Sequence, residues 1–88
     1  MPAYSDITNA LDALAATGFE MNTAWEKAHH LAQTHEGVRA YDALHAFCHR
    51  IENDLSNAAY WDRRAGTAFG ENGHTAELAS LRDFLRTA

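Results

Sequence analysis

The chain has 88 residues, an apolar fraction of 47% and a formal net charge of −5, with seven lysine and arginine residues. This length predicts a single helical domain over residues 1–88, and the shortage of basic residues argues against nucleic acid as a partner. No stretch approaches the ~18 apolar residues of a membrane span, and Cys48, the sole cysteine, excludes an intrachain disulfide. We therefore expect a soluble protein of a reducing, bacterial-type cytoplasm.

The first half of the chain predicts two helices from apolar residues at helical spacing. Ser5 is the expected cap of the first, and Gly18 follows its end. The run Thr23–Glu26 has the pattern of a capping box that opens the second helix, which ends near Gly37. The predicted inner faces are Ile7, Ala10, Leu11 and Leu14 in the first helix, and Ala24, Trp25, Ala28, Leu31 and Ala32 in the second.

The second half predicts a long third helix, from about Val38 to Ala65, with Gly66 at its end. The glycine-rich stretch GTAFGENGH predicts a loop, and a fourth helix follows Thr75. Its inner face is Leu78, Leu81, Phe84 and Leu85. The short links favour antiparallel neighbours, so we expect an all-α fold, a small antiparallel bundle of about four helices with the third longest.

Polar residues of the third helix form a stripe beside its apolar face, at about 100° per residue. The stripe comprises Asp42, His45, His49, Glu52, Ser56 and Arg63. Arg50, Asn53 and Asn57 are predicted to lie on the opposite side. Ionisable groups beside a core cost free energy unless they are paired, so the stripe requires partners from elsewhere in the fold.

The second helix supplies such partners if Gly37 centres a tight antiparallel turn. His29 then lies near His45, and Trp25 lies near His49. Four residues with ligand-type side chains are aimed at one seam: Glu26, His29, His45 and His49. Their Glu-x2-His and His-x3-His spacings suit a divalent metal, although a di-iron site would need a second Glu-x2-His. Two alternatives are a site for an organic or anionic ligand and mutual pairing that only fixes helix register.

The end of the third helix carries aromatic and basic residues together. Tyr60, Trp61, Arg63 and Arg64 have the chemistry to enclose a planar or anionic group. Alternatively, the arginines interact with the last carbonyls of the helix and with its dipole. Asp62 continues the apolar row, which means either that this row has left the core by the last turn or that Asp62 meets an arginine.

The runs AWEKAHHLAQ, LHAFCHRIEND and NAAYWDRRAG resemble a family of small, uncharacterised, mostly bacterial helical proteins. The matching motif residues are His45, Ala46, His49, Glu52, Asp54, Asn57, Ala58, Tyr60, Trp61, Arg63, Arg64, Ala65 and Gly66. The sequence departs from the family motif at Asn53, where the family has glycine, and at Asp62, where it has tyrosine. The family has no established activity, so the resemblance implies a helical fold and a shared polar site but no reaction.

No activated nucleophile and no phosphate-binding loop are recognisable, so a non-enzymatic binding module is favoured over an enzyme. We expect it to bind a small anionic or planar ligand or a partner chain; a homodimer packed through the first and fourth helices is a further prediction. The candidate ligand-binding residues are His45, His49, Glu52, Asp54, Asn57, Tyr60, Trp61, Arg63 and Arg64. The alternative is a metal-binding protein, or a metal-dependent or acid–base enzyme, with a divalent metal as its only indicated cofactor and Glu26, His29, His45 and His49 as its residues.

Overall fold

The computed structural model describes residues 3–88. This part of the chain forms five α-helices and one short 3₁₀ helix. The α-helices are α1 (Ser5–Ala16), α2 (Thr23–Thr34), α3 (Arg39–Ile51), α4 (Leu55–Ala65) and α5 (His74–Leu85), and the 3₁₀ helix is Gly70–Asn72. The predicted all-α class is confirmed. Each of α2, α3 and α4 packs on the helix before it, and α5 packs on α3 and α1. Within the described range, every helix falls short of the length and apolarity that crossing a membrane requires.

The prediction of one long helix over 38–65 is wrong, because the chain breaks between α3 and α4. Asn53 adopts a left-handed conformation with φ of 65°, and the Asp54 N–H donates to the carbonyl of His49 at 2.8 Å. The Asp54 carboxylate then caps α4 by accepting the Asn57 N–H. The five helices have similar lengths, 11 to 13 residues, so a dominant third helix does not exist.

The helix starts also differ from the predicted caps. Ser5 is the first residue of α1, and Tyr4 occupies the N-cap position without a capping hydrogen bond from its side chain. Asn22, one residue before the predicted Thr23, caps α2 by accepting the Trp25 N–H at 3.2 Å. At the other ends, Gly18 follows α1 with a positive φ and Gly66 is the left-handed C-cap of α4, as their positions predict.

The core lies between α1, α2, α3 and α5. Most predicted inner residues are buried there, including Ile7, Leu11, Leu14, Trp25, Ala28, Ala32, Leu81 and Leu85. Phe47 is the largest fully buried side chain, and Phe19 meets its ring edge-on at 5.9 Å between centroids. The apolar spacing in each helix therefore selects the face that becomes core.

The sequence predicts Arg50 on the side of its helix opposite the apolar face. In the structure, Arg50 is instead largely buried and connects three helices. Its Nη1 and Nη2 donate to the two carboxylate oxygens of Asp62 at 2.9 and 3.0 Å. Its Nε and Nη2 donate to Glu77 at 2.8 and 2.6 Å, and Glu77 is only 1% exposed. The hydrogen bonds to Glu77, followed by those to Asp62, raise the pKa of Arg50. Asp62 thus meets an arginine, one of the two outcomes expected for it.

Gly70 leaves the space that this guanidinium occupies. A Cβ at position 70 would overlap Arg50, so the glycine in the loop before α5 is required by close approach. The ion pairs of Arg50 therefore depend on the absence of a side chain at position 70 in the loop.

We expect Glu77→Gln to lower the free energy of unfolding by about 3 kcal/mol, because removing one partner of a buried ion pair leaves the other under-compensated. Urea denaturation measures the change. Glu71→Gln is the matched control: Glu71 is exposed, and the expected change is within about 0.5 kcal/mol. Equal stability of the two variants would contradict a structural role for the Arg50 pairs.

We expect Asn53→Gly to raise the free energy of unfolding by about 0.5–1 kcal/mol, because glycine adopts a positive φ without steric cost. Asn9→Gly is the control, since Asn9 is exposed inside α1, where glycine costs about as much as it gains at position 53. Thermal and urea unfolding measure both. A loss of stability in Asn53→Gly would show that the asparagine side chain contributes more than the backbone strain costs.

Candidate functional site

Three imidazoles meet where α2 packs on α3, and we call His29, His45 and His49 the histidine cluster. His29 lies edge-on to both partners, with ring centroids 4.9 Å from His45 and 5.1 Å from His49. His45 and His49 stack on each other at 4.9 Å. One nitrogen from each ring lies within 4.8 Å of the other two, so the three side chains present their donor atoms to a common point.

Local sequence accounts for this convergence. His45 and His49 are one helical turn apart and share a face of α3. The link from α2 to α3 is fixed by Asp42, whose buried carboxylate accepts the Gly37 N–H at 3.1 Å. The expected approach of His29 to His45 follows from that short turn.

Two tryptophans flank the histidine cluster. Trp61 of α4 stacks on His45 with ring centroids 3.9 Å apart and an interplanar angle of 15°. Trp25 of α2 stacks on His29 at 4.8 Å, and its Nε1–H donates to the carbonyl of Cys48 at 2.8 Å. Both indoles are largely buried, so they orient the imidazoles and exclude water from two sides of the cluster.

Two buried nitrogens of the histidine cluster lack a partner among the described residues: His29 Nε2 and His45 Nδ1. Buried polar atoms nearly always have a hydrogen bond, and one without it carries a desolvation cost. His49 differs, because its Nδ1 pairs with the Glu52 carboxylate at 2.5 Å. In a neutral imidazole, that pairing favours the tautomer with the proton on Nδ1 and the lone pair on Nε2.

Burial favours the neutral form of His29 and His45, two of the three rings. Desolvation, followed by the nearby His29 and His49, lowers the pKa of His45 to about 4. Desolvation and His49 also lower the pKa of His29. Neutral imidazole is the form that offers a lone pair to a metal, so these two rings are ready to bind one at pH 7.

The structure places the other candidate residues outside the histidine cluster. Glu26 is exposed on α2 and contributes no atom to the cluster, which corrects the four-residue seam. Glu52 contacts the cluster through His49, and with Asp54 and His49 it forms a second group of close ligand-type atoms. Asp54 is occupied in capping α4, where the Asn57 Nδ2 also donates to it at 2.7 Å.

The aromatic and basic end of α4 divides between core and surface. The Arg64 guanidinium carbon lies 4.9 Å from the Trp61 ring centroid and 5.8 Å from that of Tyr60, and Arg64 also donates to the Tyr60 hydroxyl at 3.2 Å. Arg63 is exposed, and its side chain makes no hydrogen bond or ion pair with any residue in the described range. Arg39, which the sequence did not single out, donates to the last carbonyl of α4, that of Ala65, at 2.8 Å.

A scan against protein-family models and searches of the curated proteins and of the solved structures find no match to this chain. The family resemblance of the motif therefore stays a prediction. In the structure, the motif residues serve different purposes. His45 and His49 belong to the histidine cluster and Trp61 stacks on His45, whereas Asp54 and Gly66 cap the two ends of α4.

We expect stability to fall by about 1–2 kcal/mol between pH 7 and pH 5, because unfolded His45 takes up a proton near its ordinary pKa and folded His45 does not. The stabilisation is complete above about pH 6.5 and is lost as the pH falls toward 4. Urea denaturation at several pH values measures it. His45→Phe keeps a ring against Trp61 and removes the titration, so its profile is expected to be flatter. An unchanged slope in this variant would exclude His45 as the source.

Proposed function

We propose that this protein binds a divalent transition-metal ion, with zinc as the first choice, between α2 and α3. The ligands are His29 Nε2, His45 Nδ1 and His49 Nε2. The observation that carries the proposal is the pair of buried imidazole nitrogens without partners on two of the three rings of the histidine cluster. A metal ion satisfies both atoms at once, which no side chain in the described range does.

The geometry lies close to what zinc requires. Tetrahedral Zn–N bonds of about 2.0–2.1 Å place the ligand nitrogens roughly 3.4 Å apart. The nitrogens of the histidine cluster lie within 4.8 Å of one another, so each ring closes by less than about 1 Å. Rotation about side-chain bonds supplies that movement without displacing the helices.

The Glu52–His49 pair supports the same interpretation. Metal-binding histidines commonly donate their second ring N–H to a carboxylate, which fixes the tautomer and strengthens the ligand. His49 and Glu52 form this pair across one turn at the end of α3. A carboxylate placed only to fix helix register would have no need of an imidazole that also belongs to a cluster of three.

This proposal places metal binding ahead of the organic ligand favoured by the sequence, and it assigns no reaction. The sequence-based expectations of a bacterial cytoplasm and of a homodimer are retained as parts of the proposal. The lone Cys48 is buried and suits a reducing compartment. Sedimentation of the purified protein decides the oligomeric state.

We expect zinc to raise the melting temperature of the full chain, because an ion that binds only the folded state stabilises it by about 2.7 kcal/mol at a hundred times Kd. His29→Ala is expected to abolish the shift. His29 is only partly buried, so this variant is expected to fold. Calorimetric zinc titration and metal analysis of protein purified without a histidine tag measure the binding.

His30→Ala is the matched control, since His30 is the next residue of α2 and is exposed. We expect it to bind zinc as the unmodified chain does. Equal zinc binding by the two variants, or no thermal shift with zinc, cobalt or nickel in the unmodified chain, would overturn the proposal.

A further inference from the structure

The histidine cluster supplies three nitrogen donors, and the described residues bring no fourth to it. The Glu52 carboxylate is hydrogen-bonded to Nδ1 of His49, and Glu26 is exposed on α2. Zinc and cobalt(II) in such surroundings take four ligands, and a site with three protein ligands keeps one position for water or an exogenous ligand. An ion held by the cluster therefore has one position that this chain does not fill.

The walls of the cluster limit what reaches that position. His45 is 3% exposed, and Trp25 and Trp61 are each 8% exposed. Trp25 stacks on His29 and Trp61 stacks on His45, so a planar organic group has no room between either tryptophan and its histidine. A ligand of only a few atoms meets this constraint.

Charge favours an anion over a neutral molecule. The Arg64 guanidinium lies 4.9 Å from the Trp61 ring, which is itself stacked on His45. Arg64 is exposed, and the one hydrogen bond that its side chain makes within the described range goes to the Tyr60 hydroxyl. The guanidinium thus keeps donors for an incoming anion.

Resting on the metal site proposed above, we infer that the bound ion takes a small monodentate anion at its fourth position. Azide, cyanate and bicarbonate belong to this class. Arg64 at the rim attracts the anion through its charge. The cluster is then a metal centre with an exchangeable ligand, in contrast to a structural site in which protein atoms fill every position.

The test is an azide titration of the full chain loaded with cobalt(II), followed by visible absorption. Cobalt bound to three histidines and one water gives a four-coordinate spectrum, and azide is expected to change it saturably. Arg64→Ala is expected to weaken azide binding by about 2- to 5-fold, as for the loss of one exposed charge. Arg86→Ala removes the same charge from an exposed position after α5 and is expected to leave azide binding unchanged.

The outcomes separate the two proposals. If the unmodified chain mixed with cobalt(II) shows no visible absorption from bound cobalt, the metal site itself is overturned, and this inference with it. A four-coordinate spectrum that azide does not change leaves the metal site standing and overturns the open position. Equal azide affinity in Arg64→Ala and Arg86→Ala excludes Arg64 as the attracting group.

Discussion

Arg50 sits between two carboxylates that come from two other helices, and the packing of Trp61 against the histidine cluster depends on that arrangement. Its guanidinium holds Asp62 of α4 and Glu77 of α5 against α3. His49 and Trp61 are the residues immediately before Arg50 and Asp62. The ion pair that locks α3 to α4 on one side therefore also positions the rings on the adjacent side. A buried charge with two charged partners tolerates little displacement, because any loosening leaves a charge uncompensated.

The break at Asn53 is the second constraint. If residues 38–65 were one straight helix, Trp61 would lie about four turns beyond His45 and could not contact it. The left-handed residue turns α4 back along α3, which brings Trp61 onto His45 and Asp62 onto Arg50. The residue that interrupts the helix thus creates both of the contacts on which the site rests. Only a short polar link separates the two helices, so α4 has little freedom to move away.

Much of the fold could be predicted from periodicity, because apolar spacing identifies the buried face of each helix. The break between α3 and α4 could not be predicted in this way. Glu52, Asn53 and Asp54 are polar residues at positions where a continuous helix would also expose polar residues, so their spacing gives no sign of the positive φ at Asn53. The motif that the sequence resembles has glycine at position 53, and this departure at Asn53 was the one signal available. The convergence of His29 with His45 was predictable from a short turn and a one-turn spacing. The stack of Trp61 on His45 and the burial of Glu77 were not, because both depend on long-range packing.

Most helix pairs in this fold are neighbours along the chain, and this has a consequence for the order in which its parts form. Bringing α2 onto α3 closes a loop of only a few residues, which costs little chain entropy. The three histidines belong to these two helices alone, so their convergence needs only this local hairpin. The Arg50 network needs α5, which follows a longer connection. Folds dominated by such local contacts assemble quickly. Here the histidine cluster depends on a contact between neighbouring helices, whereas the Arg50 network depends on α5, which is distant along the chain.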